Sequence, residues 1–140
     1  MSLKLRLKPH EKLIIGGAVV VNGPKTAEFL IENNVPILRE SDIMGEAQVT
    51  TPSRRLYFCV QLMYIDIGNA NHYTTQFREL TDAIIAAAPS TELLIAQIIE
   101  KVIGADYYHS LKLVRKLIDY EEMLLNKAIS IATPSDQLSK

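Results

Sequence analysis

The beginning of the chain alternates apolar and charged residues with the period of a β-strand. Leu3, Leu5 and Leu7 are separated by Lys4, Arg6 and Lys8, so the leucines can face a core while the cations face solvent. Short apolar segments separated by turn signals continue the pattern as far as residue 38. Together they predict a small antiparallel sheet of about five strands, at residues 3–8, 13–15, 18–21, 26–31 and 35–38.

The pattern changes to that of helices at Pro52. Thr51 suits an N-cap, and Pro52 suits the first helical position because it has no N–H to leave unpaired. The first predicted helix, residues 52–66, is apolar on nearly all sides, which favours a central, buried position. A strand is the alternative, since Tyr, Phe, Val and Ile all favour strands, but Thr51 and Pro52 favour the helix.

Three more helices are predicted beyond residue 66. The fourth should bury one apolar face and expose a charged one. The predicted boundaries are a start near Asn69 or Asn71 and an end before Pro89 for the second helix, a cap at Ser90 or Thr91 and an end at Gly104 for the third, and a cap at Asp106 for the fourth. The predicted buried face of the fourth helix is Leu113, Val114, Leu117, Ile118, Leu124 and Leu125.

These elements predict an α+β fold in which an N-terminal antiparallel sheet is followed by a bundle of about four helices. At 140 residues the chain is expected to form a single domain. We divide it into a β part at residues 1–40, a connector at 41–51, a helical part at 52–127 and a loose tail at 128–140.

Composition excludes several classes of function. The net charge of −1 is incompatible with a generally basic nucleic-acid coat but leaves room for a local basic patch. The single cysteine, Cys59, rules out an internal disulfide framework. No nucleotide, nucleophile or metal motif occurs, so we expect neither an enzyme nor a cofactor. With no signal peptide and no apolar run long enough for a membrane span, we expect a cytoplasmic protein.

The candidate binding residues are therefore basic ones. Cations at alternate strand positions lie about 6.5–7 Å apart, which roughly matches the phosphate spacing of single-stranded RNA. Arginines in the first turn of a helix are unfavourable unless an anion meets them, and the helix N–H groups would add to a phosphate site there. The candidates are Lys4, Arg6, Lys8 and Lys12 on the first strands, Arg54 and Arg55 on the first helix, and a secondary patch of Lys112, Arg115 and Lys116.

Each group also has a simpler interpretation. The strand cations can be a solvated outer face that discourages aggregation. Arg54 and Arg55 can extend their charged ends into water above the apolar helix. Arg115 can pair with Asp119 four residues later.

Several segments, in order along almost the whole chain, resemble the FlbT family of bacterial flagellar regulators. They are Ser2-Leu3-Lys4-Leu5-Arg6-Leu7-Lys8-Pro9, Gly17-Ala18-Val19-Val20-Val21-Asn22-Gly23, Leu38-Arg39-Glu40-Ser41-Asp42-Ile43-Met44, Thr50-Thr51-Pro52-Ser53-Arg54-Arg55-Leu56-Tyr57-Phe58, Asp106-Tyr107-Tyr108-His109-Ser110-Leu111-Lys112 and Arg115-Lys116-Leu117-Ile118-Asp119-Tyr120-Glu121. His10 departs from the glycine expected after Lys8-Pro9. We expect this change to alter the turn and to displace Lys12.

The resemblance implies a post-transcriptional regulator that acts on the 5′ leader of flagellin mRNA and changes its translation and stability. It also implies a FlaF-like protein as a partner, with flagellin itself as a further candidate. Two hypotheses stay open at this point. Either the basic residues bind RNA directly, or the helical part binds a protein and affects mRNA indirectly. A first helix this uniformly apolar is also compatible with a homo-oligomer.

Overall fold

Five short strands precede four α-helices in the computed structural model, which describes residues 2–132. The predicted α+β class is therefore confirmed. The strands are β1 (Leu3–Leu7), β2 (Lys12–Ile15), β3 (Ala18–Val21), β4 (Ala27–Ile31) and β5 (Ile37–Arg39). The helices are α1 (Pro52–Ile65), α2 (Thr74–Ala87), α3 (Glu92–Ile103) and α4 (Tyr107–Ala132), with 3₁₀ turns at Glu40–Asp42, Glu46–Gln48, Ile67–Tyr73 and Pro89–Thr91.

The strands form two small sheets rather than the one we predicted. β1 pairs with β4, while β2 lies between β3 and β5, and every pairing is antiparallel. The reason lies in β2, where Leu13 and Ile14 are consecutive apolar residues and are both buried. Consecutive side chains point to opposite faces of a sheet, so β2 is covered on both faces. The edge strand β3 is not, because Val19 and Val21 are exposed.

The β3-β2-β5 sheet is consequently the middle layer of the molecule. Leu13 packs with Leu5 and Leu7 of β1 in a core between the two sheets. Ile14 and Leu38, on the opposite face, belong to the larger core that the helices form. The β1-β4 sheet is thus the outer layer on the side away from the helices, and its outer face is free to carry charge.

The hairpin between β2 and β3 turns at Gly16 and Gly17. Both have positive φ, +52° and +90°, as a two-residue type I′ turn requires. A Cβ atom on Gly17 would lie 3.3 Å from the carbonyl oxygen of Ile65. The hairpin therefore rests against the carboxyl end of α1.

α1 is a helix with buried residues on nearly all of its sides, as predicted. Thr51 caps it, because its hydroxyl accepts a 3.2 Å hydrogen bond from the backbone N–H of Arg54. Gln61, which interrupts the apolar run, is buried and binds both the N–H and the carbonyl of Met44. It thereby fixes the connector to the helix. No helix within residues 2–132 is long and apolar enough to cross a membrane.

The ends of α3 and the beginning of α4 follow the predicted boundaries. Thr91 occupies the N-cap position of α3, although its hydroxyl donates to the carbonyl of Ala88 rather than capping the helix. Gly104 is the C-cap, and the left-handed residue that follows is Ala105 (φ +57°). Asp106 precedes α4 and accepts a long 3.4 Å hydrogen bond from the N–H of His109.

α4 runs antiparallel to α1 and continues to Ala132, five residues beyond the predicted end of the helical part. Residues 133–140, which we predicted to be a loose tail, lie outside the described residues. Val114, Leu117 and Ile118 are buried as expected. The prediction was wrong for Leu125, which is 48% exposed. α1 begins beside Glu121, so its first turn gives no cover to the part of α4 that follows.

The turn between β1 and β2 keeps a conformation suited to glycine despite the histidine. The N–H of Glu11 bonds to the carbonyl of Lys8 across Pro9 and His10. His10 has φ +62°, as the third residue of a type II turn must. This left-handed conformation costs a non-glycine residue about 1–2 kcal/mol. A histidine at this position therefore strains the backbone of the turn.

Replacing His10 with glycine should stabilise the protein. Removing the left-handed strain outweighs the extra entropy of glycine in the unfolded chain, so we expect a net gain of about 0.5–1 kcal/mol in the free energy of unfolding. Urea denaturation followed by circular dichroism measures it. His10→Ala is the control, because alanine retains the strain. A loss of stability in His10→Gly would contradict the assignment.

Candidate nucleic-acid interface

The outer face of β1 carries the predicted row of cations. Leu5 and Leu7 are buried, whereas Lys4, Arg6 and Lys8 are exposed. The predicted exposure of the row is thus confirmed. In the described part of the chain, the side chains of Arg6 and Lys8 make no ion pair, so both remain available to an anion.

One carboxylate interrupts this positive face. Glu28 of β4 lies directly opposite Arg6 in the sheet register, and its Oε2 is 3.5 Å from Nζ of Lys4. Both side chains of the pair are more than half exposed, and exposed ion pairs are worth at most about 1 kcal/mol. A phosphate can therefore compete with Glu28 for Lys4 at little cost.

A salt bridge behind the row ties the two sheets together. Oε2 of Glu11 is 3.1 Å from a guanidinium nitrogen of Arg39, and Oε1 accepts a 2.9 Å hydrogen bond from the backbone N–H of Lys8. Arg39 also donates to the carbonyl of Arg6 at 2.7 Å. The Lys8 N–H, followed by Arg39, lowers the pKa of Glu11 below its ordinary value of 4.5. The ionised carboxylate thus holds the end of β1 in place.

Lys12 lies on β2, beyond the turn, and does not continue the row along β1. Its backbone N–H donates to Oε1 of Glu40 at 2.6 Å, while its side chain is exposed and makes no ion pair with any described residue. An anionic oxygen next to its backbone lowers the positive potential at this position. Lys12 is therefore a weaker candidate for phosphate binding than Arg6 or Lys8.

The start of α1 differs from the predicted phosphate site. Oε2 of Glu121 accepts the backbone N–H of Ser53 at 3.0 Å, and Thr51 accepts that of Arg54. The expectation that these N–H groups add to a phosphate site was wrong, because a carboxylate from α4 and the N-cap hydroxyl already satisfy them. The guanidinium of Arg54 pairs with Glu122, which leaves Arg55 exposed without an ion pair in residues 2–132.

The secondary patch on α4 is mostly engaged in structural contacts. Arg115 does not pair with Asp119 as we expected; its guanidinium lies 4.7 Å from the ring centroid of Tyr57 and donates to the Tyr57 hydroxyl at 3.1 Å. That hydroxyl donates in turn to the carbonyl of Asp42 at 2.6 Å. Burial raises the pKa of Tyr57, so the hydroxyl keeps its proton for this bond.

Lys112 completes this cluster. Its Nζ lies 3.4 Å from Oδ1 of Asp42 and 5.0 Å from the ring centroid of Tyr108. Lys116 is the exposed member of the patch without an ion pair in the described residues. The roles of Asp42 and Tyr57 escaped sequence reasoning, because residues 58 to 70 positions apart along the chain give no periodic signal.

The predicted cations do not converge on one site. The N–H of Ile37 in β5 donates to the hydroxyl of Tyr64 near the carboxyl end of α1, so the sheets lie at that end. Arg54 lies ten residues earlier on the same helix, or about 15 Å along its axis. The row on β1 and the start of α1 are therefore separate surfaces.

Other reactive side chains are in structural positions. Cys59 is buried as predicted, and burial raises the pKa of its thiol to about 11, which keeps it protonated and unreactive. Glu121 and Glu122 have different partners, Ser53 and Arg54. Within residues 2–132, no group of three or more His, Cys, Asp or Glu residues is arranged to hold a metal ion.

The comparison with known families matches almost the whole chain. The family model described as "Flagellar protein FlbT" matches residues 3–125. The chain belongs to the FlbT family.

Named relatives cover most of the chain as well. A protein of Bradyrhizobium diazoefficiens, named "probable flagellum biosynthesis repressor protein FlbT 1", is 43% identical over 125 residues, covering 89% of this chain and 85% of its own length. The "flagellum biosynthesis repressor protein FlbT" of Caulobacter vibrioides is 39% identical over 132 residues, covering 93% and 94%. No solved structure matches.

The Glu11–Arg39 bridge should make stability depend on pH. The pKa of Glu11 is lower in the folded protein, so its contribution is present above about pH 4.5 and disappears as the pH falls through the folded pKa. Glu11→Gln should therefore lower the melting temperature at neutral pH, and the difference from wild type should shrink on acidification below about pH 4.5. Glu32→Gln is the exposed control. A difference that stays constant down to pH 3 would contradict this role.

Arg115→Lys should destabilise the protein by about 1 kcal/mol. Lysine keeps the charge but loses the planar stacking on Tyr57 and the directed bond to its hydroxyl. Urea denaturation measures the change in the free energy of unfolding. Lys116→Ala, which removes an exposed cation from the same helix, should change stability by less than about 0.5 kcal/mol. Equal effects of the two substitutions would refute the structural role of Arg115.

Proposed function

We propose that the protein is a post-transcriptional regulator of flagellin synthesis that acts in the cytoplasm on the 5′ leader of flagellin mRNA. Membership of the FlbT family, whose named relatives are repressors of flagellum biosynthesis, supports the regulatory part. The observation that supports direct RNA contact is the exposed row of Lys4, Arg6 and Lys8. Arg6 and Lys8 form no ion pair in the described residues. Lys4 pairs with Glu28, but both side chains are exposed, so the pair is weak.

The chemistry of the row suits the backbone of single-stranded RNA. A flat strand face with cations at alternate positions follows phosphates by charge alone, and the resulting binding is strongly salt-dependent. Arg6 offers a forked set of donors that matches a phosphate, whereas Lys8 acts as a point charge. Selection of the leader sequence requires contacts to bases in addition to this row.

A second candidate function is that of a protein-binding adaptor that engages flagellin or a FlaF-like protein and affects mRNA indirectly. Apolar side chains exposed on the helices favour it. Leu93 and Ile103 of α3 are 81% and 80% exposed. A partner protein that binds along α3 would cover these apolar side chains.

Arg6/Lys8→Ala should weaken binding to a flagellin-leader RNA and flatten its salt dependence. Losing two phosphate contacts should reduce the slope of log affinity against log salt by about 1.4, because each contact to a single strand contributes about 0.7. Fluorescence anisotropy across a salt series measures both quantities. Arg78/Lys127→Ala is the matched control, since it also removes two exposed cations that form no ion pair in residues 2–132.

A second variant, Glu28→Gln, should change RNA affinity in the opposite direction. Removing the carboxylate beside Lys4 should strengthen RNA binding. A scrambled RNA tests selectivity. Weak binding that is equal for both RNAs and unchanged by Arg6/Lys8→Ala would overturn direct recognition by β1 and favour the adaptor.

A further inference from the structure

An apolar groove of about 450 Å³ lies at the end of the helical part that is remote from the sheets. One wall is the last turns of α2, with Ala83, Ile84 and Ala87, and the other is α4, with Leu124 and Leu125. The first residues of α1 close one end. The alanines allow another backbone to come close, and a channel between two helices is the typical seat of a third helix.

The wall on α4 continues a face that is buried elsewhere. Leu117 and Ile118 are buried in the bundle, but Leu124 is only partly buried and Leu125 is 48% exposed. The apolar side of α4 therefore extends past the point at which α1 and α3 cover it. An additional apolar surface placed here would cover both side chains.

The floor of the groove contains polar atoms that lack partners. Ser53 and Glu121 line it, and the buried Oγ of Ser53 and Oε1 of Glu121 have no hydrogen-bond partner among the described residues. Oε2 of Glu121 is occupied by the N–H of Ser53. A buried carboxylate oxygen without a donor is unfavourable, so the floor favours a ligand that brings an N–H or ammonium group.

The geometry points to a docking site for an amphipathic helix of a partner protein whose apolar face carries one lysine or arginine. Leucine-like side chains of such a helix would fill the channel between α2 and α4. Its cation would reach Glu121, the sole charged side chain among the described residues that line the groove. The charge of Glu121 thus selects a basic partner, and the apolar walls select a helical one.

This site is independent of RNA binding by β1, and it gives the protein-binding function a location. The hairpin and the sheets lie at the carboxyl end of α1, whereas the groove lies at its start, about 20 Å away along the helix. The two surfaces can therefore be tested separately. If experiment disproves one of the two proposed sites, the support for the other is unchanged.

The experiment uses two labelled helical peptides, each of about 18 residues and cross-linked to hold the helix. Both have leucines at i, i+3, i+4 and i+7, and the leucine face carries a lysine in one peptide and a glutamate in the other. We expect the lysine peptide to bind the full chain at least about tenfold more tightly. NMR shifts of the methyl groups of Ile84, Leu124 and Leu125 should report its position.

Three variants assign the contacts. Leu125→Glu should abolish binding, whereas Ile67→Glu, at an exposed isoleucine outside the groove, should leave it unchanged. Glu121→Gln keeps an acceptor for the Ser53 N–H but removes the charge, so it should retain binding and lose the preference for lysine. RNA binding, measured in parallel, should not change in Leu125→Glu.

Other results would overturn the proposal. They are equal affinity for the two peptides, shifts confined to residues outside the groove, or binding that survives Leu125→Glu. The last measurement is the oligomeric state of the protein without peptide, by sedimentation. A dimer that Leu125→Glu dissociates would show that a second copy of this chain, rather than a partner helix, occupies the groove.

Discussion

The antiparallel packing of α1 against α4 determines which charged side chains form structural contacts and which are available to a ligand. Contacts join the two helices along their length, from Ser53 with Glu121 at one end to Tyr64 with Tyr108 at the other. Glu121 supplies the negative charge that the start of a helix favours, and Arg115 is fixed against α1 midway. Because this pairing engages Arg54 and Arg115, two of the cations that seemed suited to phosphate, the outer face of β1 is the surface that we propose for anions.

Local pattern was sufficient for the type of each element, but not for its partners or for the start of α2, which lies at Thr74 and not near Asn69 or Asn71 because a 3₁₀ helix occupies Ile67–Tyr73. Alternation at Leu3–Leu7 and the cap at Thr51 fixed the type and start of their elements, because strand period and capping act over a few residues. The division into two sheets had a visible signal in the consecutive apolar residues of β2, which indicate burial on both faces. Our prediction of a single sheet did not take that signal into account.

The candidate site was less predictable because its decisive contacts are non-local. Lys4, Arg6 and Lys8 share a face by strand geometry alone, so their exposure followed from sequence. Arg54 and Arg115 gave no such indication, since their partners Glu122 and Tyr57 are 68 and 58 residues away. Leu125 was misplaced for a related reason: periodicity shows which side of a helix is apolar but not where its neighbours stop.

The proposed RNA surface is positive and the proposed helix groove carries a negative charge, so the two oppose each other least when they are separated. The β3-β2-β5 sheet provides this separation, because its strand β2 is buried on both faces and the β1-β4 sheet lies on the side away from the helices. A negative carboxylate at the groove would weaken phosphate binding if it lay beside Arg6 and Lys8, but over about 20 Å of salt solution the interaction is largely screened. Glu121 can therefore favour a basic helix without opposing the positive row on β1, and one small domain can present both surfaces.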